Sequence, residues 1–382
     1  MIHMDKAYVL GIAMTKFHRD PSIAVEKMGA EAVWEAVEEA GIDLKDIPEV
    51  YCGNVYGGAG VGQKVMAEAG VTGMAITNIE NCCSSASNAF REAYFAVSSG
   101  RVEICLAAGV ENLTSVLKGP IVDEADLEGA MGNNFAAIYA QRARRYMWTY
   151  GLKPEHLAKI AVNNKRNAYH NEKASFGELI DIDTVLNSRM VADPLHLYDS
   201  NTNANGAAAA VIVNEKTVKR LGGKPVEIVA SSLKSGKLIY PFIDMTFEEV
   251  THRAAQDAYN QSGCGPDDID FAEVHDCFTI AEVLRVEGLG LCERGGMAKW
   301  IEEGTIGITG KKPINPSGGL LGKGHPIGAT GIAQIYELCK QLRGDAGRRQ
   351  IPGVRVGLAM NRGGAIAGLE ANACTIHILR KV

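Results

Sequence analysis

The sequence predicts an α/β protein built from two similar halves, and three observations support this fold class. First, a chain of 382 residues is too long for one small core and suggests two domains of ordinary size. Second, 46% hydrophobic residues with 43 glycines and only 6% aromatics are typical of a compact α/β protein with many tight turns. Third, two stretches of the chain resemble each other in the order of their elements.

The similar stretches start at Glu38, which begins EEAGIDLKDIPEVYCGNVYG, and at Gln261, which begins QSGCGPDDIDFAEVHDCFTIA. Each passes from a helix end through a glycine and an acidic turn into a short apolar strand. Later in each half, a helix precedes a strand and a glycine-bearing loop: SSASNAFREAYFAVSSG before EICLAAGVEN, and GATGIAQIYELCKQLRG before GVRVGLAMNRGG. This repetition indicates a duplication, with chance similarity of short helix–turn–strand units as the alternative.

A helical segment interrupts the first half. Residues from about 116 to 200 have helical periodicity, and the apolar strand NGAAAAVIV resumes the half at Asn205. A continuous apolar strand suits a sheet that is covered on both faces. We therefore expect an N-terminal half at residues 1–225, which contains the helical insertion, and a C-terminal half at residues 226–382.

The composition argues against several other classes of protein. A net charge of −6 is unlike the basic balance of a general nucleic-acid binder. No segment approaches the roughly 20 uninterrupted apolar residues of a membrane span, and the start MIHMDKAYVLGI lacks the long apolar region of a secretory signal. The nine cysteines have no paired CxxC spacing, so we expect free thiols in a reducing cytoplasm rather than disulfides or a zinc site.

Two adjacent thiols, Cys82 and Cys83, precede a helix of small residues in NCCSSASNAF. Small side chains allow a helix to pack closely on its neighbours, and serine hydroxyls satisfy the free amides of a helix start. A thiol at such a start lies at the positive end of the helix dipole, which lowers its pKa and favours the thiolate. Either thiol could be a nucleophile, although a buried cysteine is often only a small hydrophobic residue.

A second motif, NPSGGLLGKGHPIGATG, places six glycines and two prolines around His325. A loop constrained in this way holds one imidazole in place, and its glycines permit close approach of the backbone to a ligand. The loop could instead hold phosphate, although its GKG does not fit the GxxxxGKS or GxxxxGKT arrangement. The histidine could also be a mere turn residue.

Together these motifs resemble the thiolase superfamily. NCCSSASNAF, EVHDCF, NPSGGLLGKGHPIGATG and NRGG occur in its order and spacing, and KIAVNNKRNAYHNEKASF and NGAAAAVIV look like its loop domain and the following strand. The HDCF form is similar to the sterol-carrier-protein type of thiolase. The resemblance implies the thiolase fold, in which two duplicated α-β-α-β-α halves share a central helix layer and carry a helical loop-domain insertion.

The resemblance also implies catalytic roles. Cys83 rather than Cys82 matches the register of the family's nucleophile, because two small polar residues follow it; Cys82 would be a strand-side spacer. His325 would be the base that holds the thiol proton. His275 stands where other thiolases have an asparagine that holds an oxyanion-hole water, and it would help His325 to stabilise an enolate.

Two further groups would complete the implied site. The backbone amides of Cys83 and of the loop at Gly364 would form the oxyanion hole for the tetrahedral intermediate. Cys277 would be the second acid/base, because Asn361 stands near the place of the family's usual cysteine. If EVHDCF is a regular strand, alternation puts Cys277 and His275 on one face. Cys277 could instead be a buried filler, with His275 or a water moving the proton.

Two more positions depart from the family pattern. Ala86 occupies the position of a glycine, which could reshape the pocket beside the nucleophile. Asn205 replaces the aspartate of the usual DGAAAV strand and so removes one buried charge. Neither departure is expected to change the fold.

The implied activity is thiolytic cleavage of a 3-oxoacyl-CoA, or the reverse Claisen condensation. The substrate could be bulky or aromatic, as for a benzoylsuccinyl-CoA thiolase. Rival interpretations are a carbon–carbon lyase or C-acyltransferase on a non-fatty substrate, and a non-catalytic lipid-binding scaffold for a partner subunit. The presence of Cys83, His275, Cys277 and His325 together argues against the scaffold, since a carrier needs none of them.

The resemblance implies acyl-CoA and CoA as substrates, no permanently bound cofactor, and a cytoplasmic homodimer. It also allows a small zinc-ribbon/OB-fold partner, whose metal would belong to the partner. A basic segment from Gln141 to His170 could anchor the phosphates of CoA, although a solvated helix face or a dimer contact is the alternative for each residue. Against the single acid Glu155, its cations are Arg142, Arg144, Arg145, Lys153, Lys159, Lys165 and Arg166.

Overall fold

The protein is described by a computed structural model that covers residues 5–119, 127–238, 244–364 and 370–382. The first half contains β1 (Ala7–Met14), α1 (Val25–Ala40), β2 (Glu49–Gly53), α2 (Val61–Glu68), β3 (Ala75–Ile79), α3 (Ser85–Ser98) and β4 (Ile104–Asn112). The inserted segment follows with α4 (Leu113–Val116), α5 (Leu127–Ala130), α6 (Phe135–Tyr150), α7 (Pro154–Tyr169), α8 (Ile182–Leu186), β5 (Met190–Ala192) and β6 (Leu195–His196).

The first half then resumes with β7 (Asn205–Asn214) and α9 (Glu215–Leu221). The second half contains β8 (Val226–Lys234), α10 (Glu249–Ser262), β9 (Phe271–Glu273), α11 (Thr279–Gly288), α12 (Met297–Glu302), α13 (Gly319–Lys323), α14 (Thr330–Arg343), β10 (Val356–Gly363) and β11 (Ala373–Lys381). The division at residue 225 and the limits of the insertion stay predictions.

Both halves repeat one pattern of strand pairing. In the first, β2 pairs in parallel with β4, which pairs antiparallel with β7, which pairs antiparallel with β1. In the second half, β9 likewise pairs in parallel with β10, which pairs antiparallel with β11, which pairs antiparallel with β8. A short antiparallel pairing of β1 with β8 joins the two sets edge to edge, which gives the strand order β3-β2-β4-β7-β1-β8-β11-β10-β9.

The helices complete an α-β-α-β-α arrangement. Helices α1 and α2 cover the outer face of the first set of strands, α10 and α11 cover the outer face of the second, and α3 and α14 lie between the two. The central helices approach closely because small residues meet where they cross. A Cβ added to Gly331 of α14 would lie 2.5 Å from Cβ of Ser87 in α3. The predicted fold class, including the shared helix layer, is confirmed.

The apolar strand predicted at Asn205 is β7, and its residues through Val213 are buried. It is covered on one face by α1 and on the other by the central helices. The side-chain amide of Asn205 is fully hydrogen-bonded without a charge, because its Oδ1 accepts from the Thr114 amide and its Nδ2 donates to the Asp20 carbonyl and the Thr114 hydroxyl.

Across the described ranges, no helix combines the length and the apolar character that crossing a bilayer requires.

Candidate active site

A thiol and an imidazole meet between the two halves. Sγ of Cys83 lies 3.2 Å from Nε2 of His325. The hydrogen bond of the other ring nitrogen, Nδ1, determines the tautomer of this histidine. Nδ1 faces the Thr330 hydroxyl, and that hydroxyl already donates its own hydrogen to the Pro326 carbonyl at 2.9 Å. Nδ1 of His325, 2.7 Å from that hydroxyl oxygen, must therefore carry a hydrogen and donate it. Nε2 is thus the free acceptor for the thiol proton.

The thiol of Cys83 is held in its neutral form. Cys83 precedes Ser84, the N-cap residue of α3, so it lies near the positive end of that helix. Burial nevertheless raises its pKa, and the charges that Cys82 and Cys277 can carry raise it further, whereas a hydrogen bond from the Gly364 amide acts in the other direction. The expectation of a lowered pKa was therefore wrong, because the loss of solvent outweighs the helix dipole.

His325 is also neutral at rest. Burial, together with the positive charges of Arg285 and Lys323, lowers its pKa to about 3. The resting pair is consequently a thiol and an imidazole rather than a thiolate and an imidazolium. Proton transfer to Nε2 must accompany attack by sulfur, which is general-base catalysis.

The adjacent thiol of Cys82 points elsewhere. Its backbone is in the left-handed region, with φ of 49°, so the chain turns sharply between the two cysteines. Its Sγ accepts a hydrogen bond from Nδ2 of Asn372 at 3.2 Å. A Cβ added to Gly364 would lie 2.7 Å from the same sulfur. The structure thus pairs Cys83 with His325 and directs Cys82 to the loop at Gly364.

A chain of amides fixes the orientation of His275. Nε2 of Gln334 donates to the backbone carbonyl of Met360 at 3.0 Å, so Oε1 of Gln334 must accept from Nδ2 of Asn361, 2.9 Å away. Oδ1 of Asn361 then faces Nδ1 of His275 at 3.1 Å, and this nitrogen must carry the hydrogen. In the neutral ring, Nε2 is left as a proton acceptor.

His275 lies across the pocket from His325. The two rings are perpendicular, with centroids 5.0 Å apart. One nitrogen of each ring and Sγ of Cys83 lie within 4.8 Å of one another. Burial, Arg285 and His325 lower the pKa of His275 well below its usual range, so it is neutral at rest. A neutral His275 of this tautomer can accept a proton, whereas stabilising an enolate would require it to be protonated first.

Strand alternation does not explain how His275 and Cys277 face the pocket. Strand β9 ends at Glu273, and both residues lie in the irregular segment that follows, so the expected regular strand through EVHDCF was wrong. Asp276 between them turns the other way, because its carboxylate accepts from the amides of Leu320 and Leu321 at the start of α13. This anchor ties the segment to the loop that carries His325.

Cys277 is backed by a guanidinium group. Nη1 of Arg285 lies 3.5 Å from Sγ of Cys277 and donates to it. Cys277 is partly exposed, whereas Arg285 is 1% exposed and lies in the core of the second half. The charge of one thiol influences the other, since a charged Cys277 would raise the pKa of Cys83. The structure therefore brings Cys83, His325, His275, Cys277 and Gly364 together.

The methyl group of Ala86 faces the protein interior. Ala86 is fully buried, and a Cβ added to Gly109 would lie 2.5 Å from Cβ of Ala86. A Cβ added to Gly53 would lie 2.4 Å from the Ala86 amide nitrogen. Glycines on the adjacent strands β2 and β4 thus make room for this residue, and its methyl group packs against β4.

The basic segment of the sequence does not act as one cluster. Arg142 is buried and donates to the buried carboxylate of Glu248. Lys165 is also buried, and its Nζ donates to the Phe176 carbonyl at 3.0 Å. Lys159 and Arg166 instead line a groove of about 590 Å³, together with His170 and Arg348. No acid is among the described residues that line this groove.

Four residues of the site were missed by sequence reasoning: Thr330, Asp276, Gln334 and Arg285. Thr330 and Asp276 lie inside the motifs GHPIGATG and HDCF, so the motifs themselves contained the signal. Gln334 and Arg285 lie one helix further along, in GIAQIYEL and EVLRVEGL. Each stands among other polar residues of its helix, so the sequence held no signal that singled out either one.

A thiol with an imidazole base, a second histidine and a second thiol, set between duplicated α/β halves, define an enzyme that transfers acyl groups through a thioester. Comparison with known families makes the assignment specific. The thiolase N-terminal domain matches residues 7–216 and the thiolase C-terminal domain-like family matches residues 235–377. The chain therefore belongs to the thiolase family.

Individual relatives agree with this assignment. The chain is 39% identical to an acetyl-CoA acetyltransferase of Methanothermobacter thermautotrophicus over 99% of this chain and all of the relative. It is 38% identical to benzoylsuccinyl-CoA thiolase subunit BbsB of Thauera aromatica over 92% of this chain and 91% of the relative. It is 35% identical to sterol carrier protein 2 of Rattus norvegicus over 94% of this chain and 70% of the relative.

Two solved structures share the architecture. An Ltp2-ChsH2(DUF35) aldolase matches with a TM-score of 0.86 and 26% identity over 100% of this chain and 99% of the other. An acetyl-CoA acetyltransferase from Syntrophomonas wolfei matches with a TM-score of 0.74 and 18% identity over 99% of both chains, which shows the fold alone. The protein is thus a thiolase-type acyl-CoA acyltransferase, and the predicted sterol-carrier-type branch is confirmed.

Proposed function

We propose that Cys83 carries the acyl group when this enzyme cleaves a 3-oxoacyl-CoA, and that His325 holds the proton of its thiol. The observation that carries the proposal is the 3.2 Å separation of Sγ from Nε2, with the histidine tautomer fixed by Thr330. A neutral thiol needs a base at this distance to become a nucleophile. The sulfur of Cys82 instead accepts a hydrogen bond from Nδ2 of Asn372.

The first half-reaction forms the acyl-enzyme. Sγ of Cys83 attacks the 3-oxo carbon while its proton moves to Nε2 of His325, and the amides of Cys83 and Gly364 stabilise the negative oxygen. The bond between C2 and C3 then breaks, which leaves the acyl thioester on Cys83 and the enolate of acetyl-CoA. The thiol of Cys277 protonates the enolate carbon and becomes a thiolate.

The second half-reaction restores the enzyme. The thiolate of Cys277 takes the proton of the CoA thiol, and the sulfur of CoA attacks the thioester carbonyl. Cys83 leaves as a thiolate and takes its proton back from His325. The products are acetyl-CoA and an acyl-CoA shortened by two carbons, and every side chain returns to its starting protonation state.

The finer features of the function follow from the branch of the family. The substrate is a bulky or aromatic acyl-CoA, which is supported by the identity to a benzoylsuccinyl-CoA thiolase subunit. The chain works in the cytoplasm as a homodimer that assembles with a small partner subunit. The word "subunit" in that relative's name and the DUF35 component of the similar aldolase support such an assembly.

The test is to map the acyl group and to follow thiolysis in parallel. After incubation with a 3-oxoacyl-CoA, peptide mass spectrometry should find the acyl group on Cys83, and Cys83→Ala should lower kcat about a thousandfold or more. Cys82→Ala is the matched control and should keep most of the activity. An acyl group on Cys82 alone would overturn the assignment of the nucleophile.

Two other outcomes separate the rival functions. Cleavage of a 3-hydroxyacyl-CoA without added CoA would identify a carbon–carbon lyase, and the absence of any adduct or turnover across acyl-CoAs of different bulk would favour a scaffold. Purification from the native host tests the assembly. A fully active homodimer without other chains would count against the partner subunit.

A further inference from the structure

A cluster of buried arginines lies directly behind Cys277. The guanidinium groups of Arg142, Arg285 and Arg362 converge on a single carboxylate, that of Glu248. The four side chains are all buried. Despite its burial, Glu248 has a pKa lowered to about 2 by Arg362, Arg285 and Arg142, so it is ionised. Three positive charges therefore face one firmly ionised acid in the interior of the second half.

A second carboxylate, that of Glu370, lies near this cluster but forms no ion pair with it among the described residues. Burial raises the pKa of Glu370, and Glu248 raises it further, although Arg362 acts in the opposite direction. Its carboxylate accepts from the Val250 amide, and within the described residues no guanidinium lies within 4 Å of it. An excess of positive charge in a dry interior is unfavourable unless an anion lies against it.

Once its proton has passed to the enolate carbon, the sulfur of Cys277 is placed to be that anion. Besides the 3.5 Å contact with Cys277, Arg285 donates from Nη2 to the Tyr139 hydroxyl at 2.6 Å. Tyr139 also accepts from Arg362 at 3.1 Å, and burial raises its pKa to about 12, so it stays neutral. Arg285 is thus held on the side away from the pocket, and its Nη1 remains directed at the thiol.

We propose that Arg285 is the positioning residue that stabilises the thiolate of Cys277. The proposal rests on the proposed function, in which Cys277 gives its proton to the enolate carbon and later takes one from CoA. The groups that face the thiolate are Arg285 of α11, Tyr139 of α6 and Cys83 before α3, with Arg362 and Glu248 behind them. Of the three groups that face the thiolate directly, Arg285 alone is a cation. Its positive charge stabilises the negative charge of the sulfur.

The arrangement divides the work between the two thiols. Cys83 is paired with an uncharged imidazole and becomes a thiolate only as it attacks. Cys277 is paired with a permanent cation and can hold a negative charge for the time between the two half-reactions. The enzyme can therefore keep one sulfur acylated and the other ionised in the same pocket.

The test compares Arg285→Gln with Arg285→Lys in the full-length protein. Brief treatment with iodoacetamide at pH 7, followed by peptide mass spectrometry, gives the alkylation rate of Cys277. Cys264, a partly exposed thiol outside the pocket, is the internal reference. We expect Arg285→Gln to lower the rate at Cys277 relative to Cys264 about tenfold or more, since only the thiolate reacts. Arg285→Lys should restore part of the rate.

A second readout links the thiolate to catalysis. Exchange of the methyl protons of acetyl-CoA with deuterated water should fall in parallel in Arg285→Gln, whereas acylation of Cys83 by a simple acyl-CoA should persist. Unchanged alkylation and exchange in Arg285→Gln would overturn the proposal. Failure of Cys83 to acylate in the wild-type protein would instead overturn the proposed function, and the alkylation result would still stand.

A wild-type measurement covers the case in which the variants do not fold. Alkylation rates of Cys277 and Cys264 are measured from pH 6 to 10, each divided by its own value at pH 10. The normalised rate of Cys277 at pH 7 should exceed that of Cys264. A normalised rate equal to or below that of Cys264 would contradict the proposal.

Discussion

Oδ1 of Asn361 accepts the hydrogen of Nδ1 in His275 across 3.1 Å. By sequence alone, Asn361 marked only the loss of a cysteine from the place where other thiolases keep an acid/base. In the structure it selects one tautomer of the second histidine, and Gln334 and the Met360 carbonyl hold it in that orientation. Asn361 therefore orients His275 in this chain.

The first prediction concerns this orientation. Asn361→Leu removes the acceptor for Nδ1 while roughly keeping the volume, and we expect kcat for thiolysis to fall about 10- to 100-fold because His275 is no longer held in one tautomer. Asn361→Asp keeps an acceptor at the same place and should lose less. Steady-state kinetics of both variants provide the measurement. Equal kcat values for Asn361→Leu and the wild type would show that the tautomer does not matter.

The second prediction concerns the crossing of the central helices. Gly331→Ala puts a methyl group 2.5 Å from Cβ and from the amide nitrogen of Ser87, so the helices must separate. We expect a loss of about 1–3 kcal/mol in the free energy of unfolding, measured by denaturant titration. Gly307→Ala is the control, since its added Cβ would lie no closer than 3.4 Å to any neighbour. Equal losses in both variants would contradict the close crossing.

The third prediction concerns the groove at Lys159 and Arg166. If it anchors the phosphates of CoA, reversal of both charges to glutamate should raise KM for CoA about 10-fold, with a smaller effect at high salt. Arg144→Glu is the matched control, because Arg144 pairs with Asp193 and does not line the groove. An unchanged KM for CoA in the double variant would remove the groove from CoA binding.

The fourth prediction concerns stability in acid. His325 and His377 are fully buried, and burial lowers the pKa of each to about 3 from an ordinary 6.5. The unfolded chain therefore binds more protons than the folded one between pH 6.5 and 3. The stability that each neutral ring provides is complete above pH 6.5 and is lost as the pH falls, by about 2 kcal/mol per histidine at pH 5.

The measurement isolates one of these histidines. His377 hydrogen-bonds to Ser87 and Ser231, away from the catalytic thiol. The free energy of unfolding at pH 7 and pH 5 is compared between the wild type and His377→Gln, which has no titratable group at this position. The variant should lose about 2 kcal/mol less over this interval. An identical pH dependence in the two proteins would show that His377 is not neutral in the fold.

The sequence by itself determined the class of the fold and most of the reacting groups. Three local patterns predicted the fold: the duplicated helix–turn–strand units, the apolar strand at Asn205 and the small residues around Ala89. Such patterns show in the sequence because helices, strands and closely packed helix faces each repeat residue types at a short, regular spacing. The motifs around Cys83, His275 and His325 likewise carry their chemistry in short stretches. These features could be predicted because each depends on residues that are close in the chain.

Only the tertiary structure decided which groups meet and in which protonation state. The turn at Cys82 separates the two thiols, and Asn361 reaches His275 from a distant part of the chain. Arg285 contacts Cys277, which lies in the irregular segment after β9. The pKa of Cys83 rises rather than falls, because burial depends on everything packed around the thiol. Contacts between distant residues and the loss of solvent exist only in the packed molecule, which is why spacing and composition could not predict them.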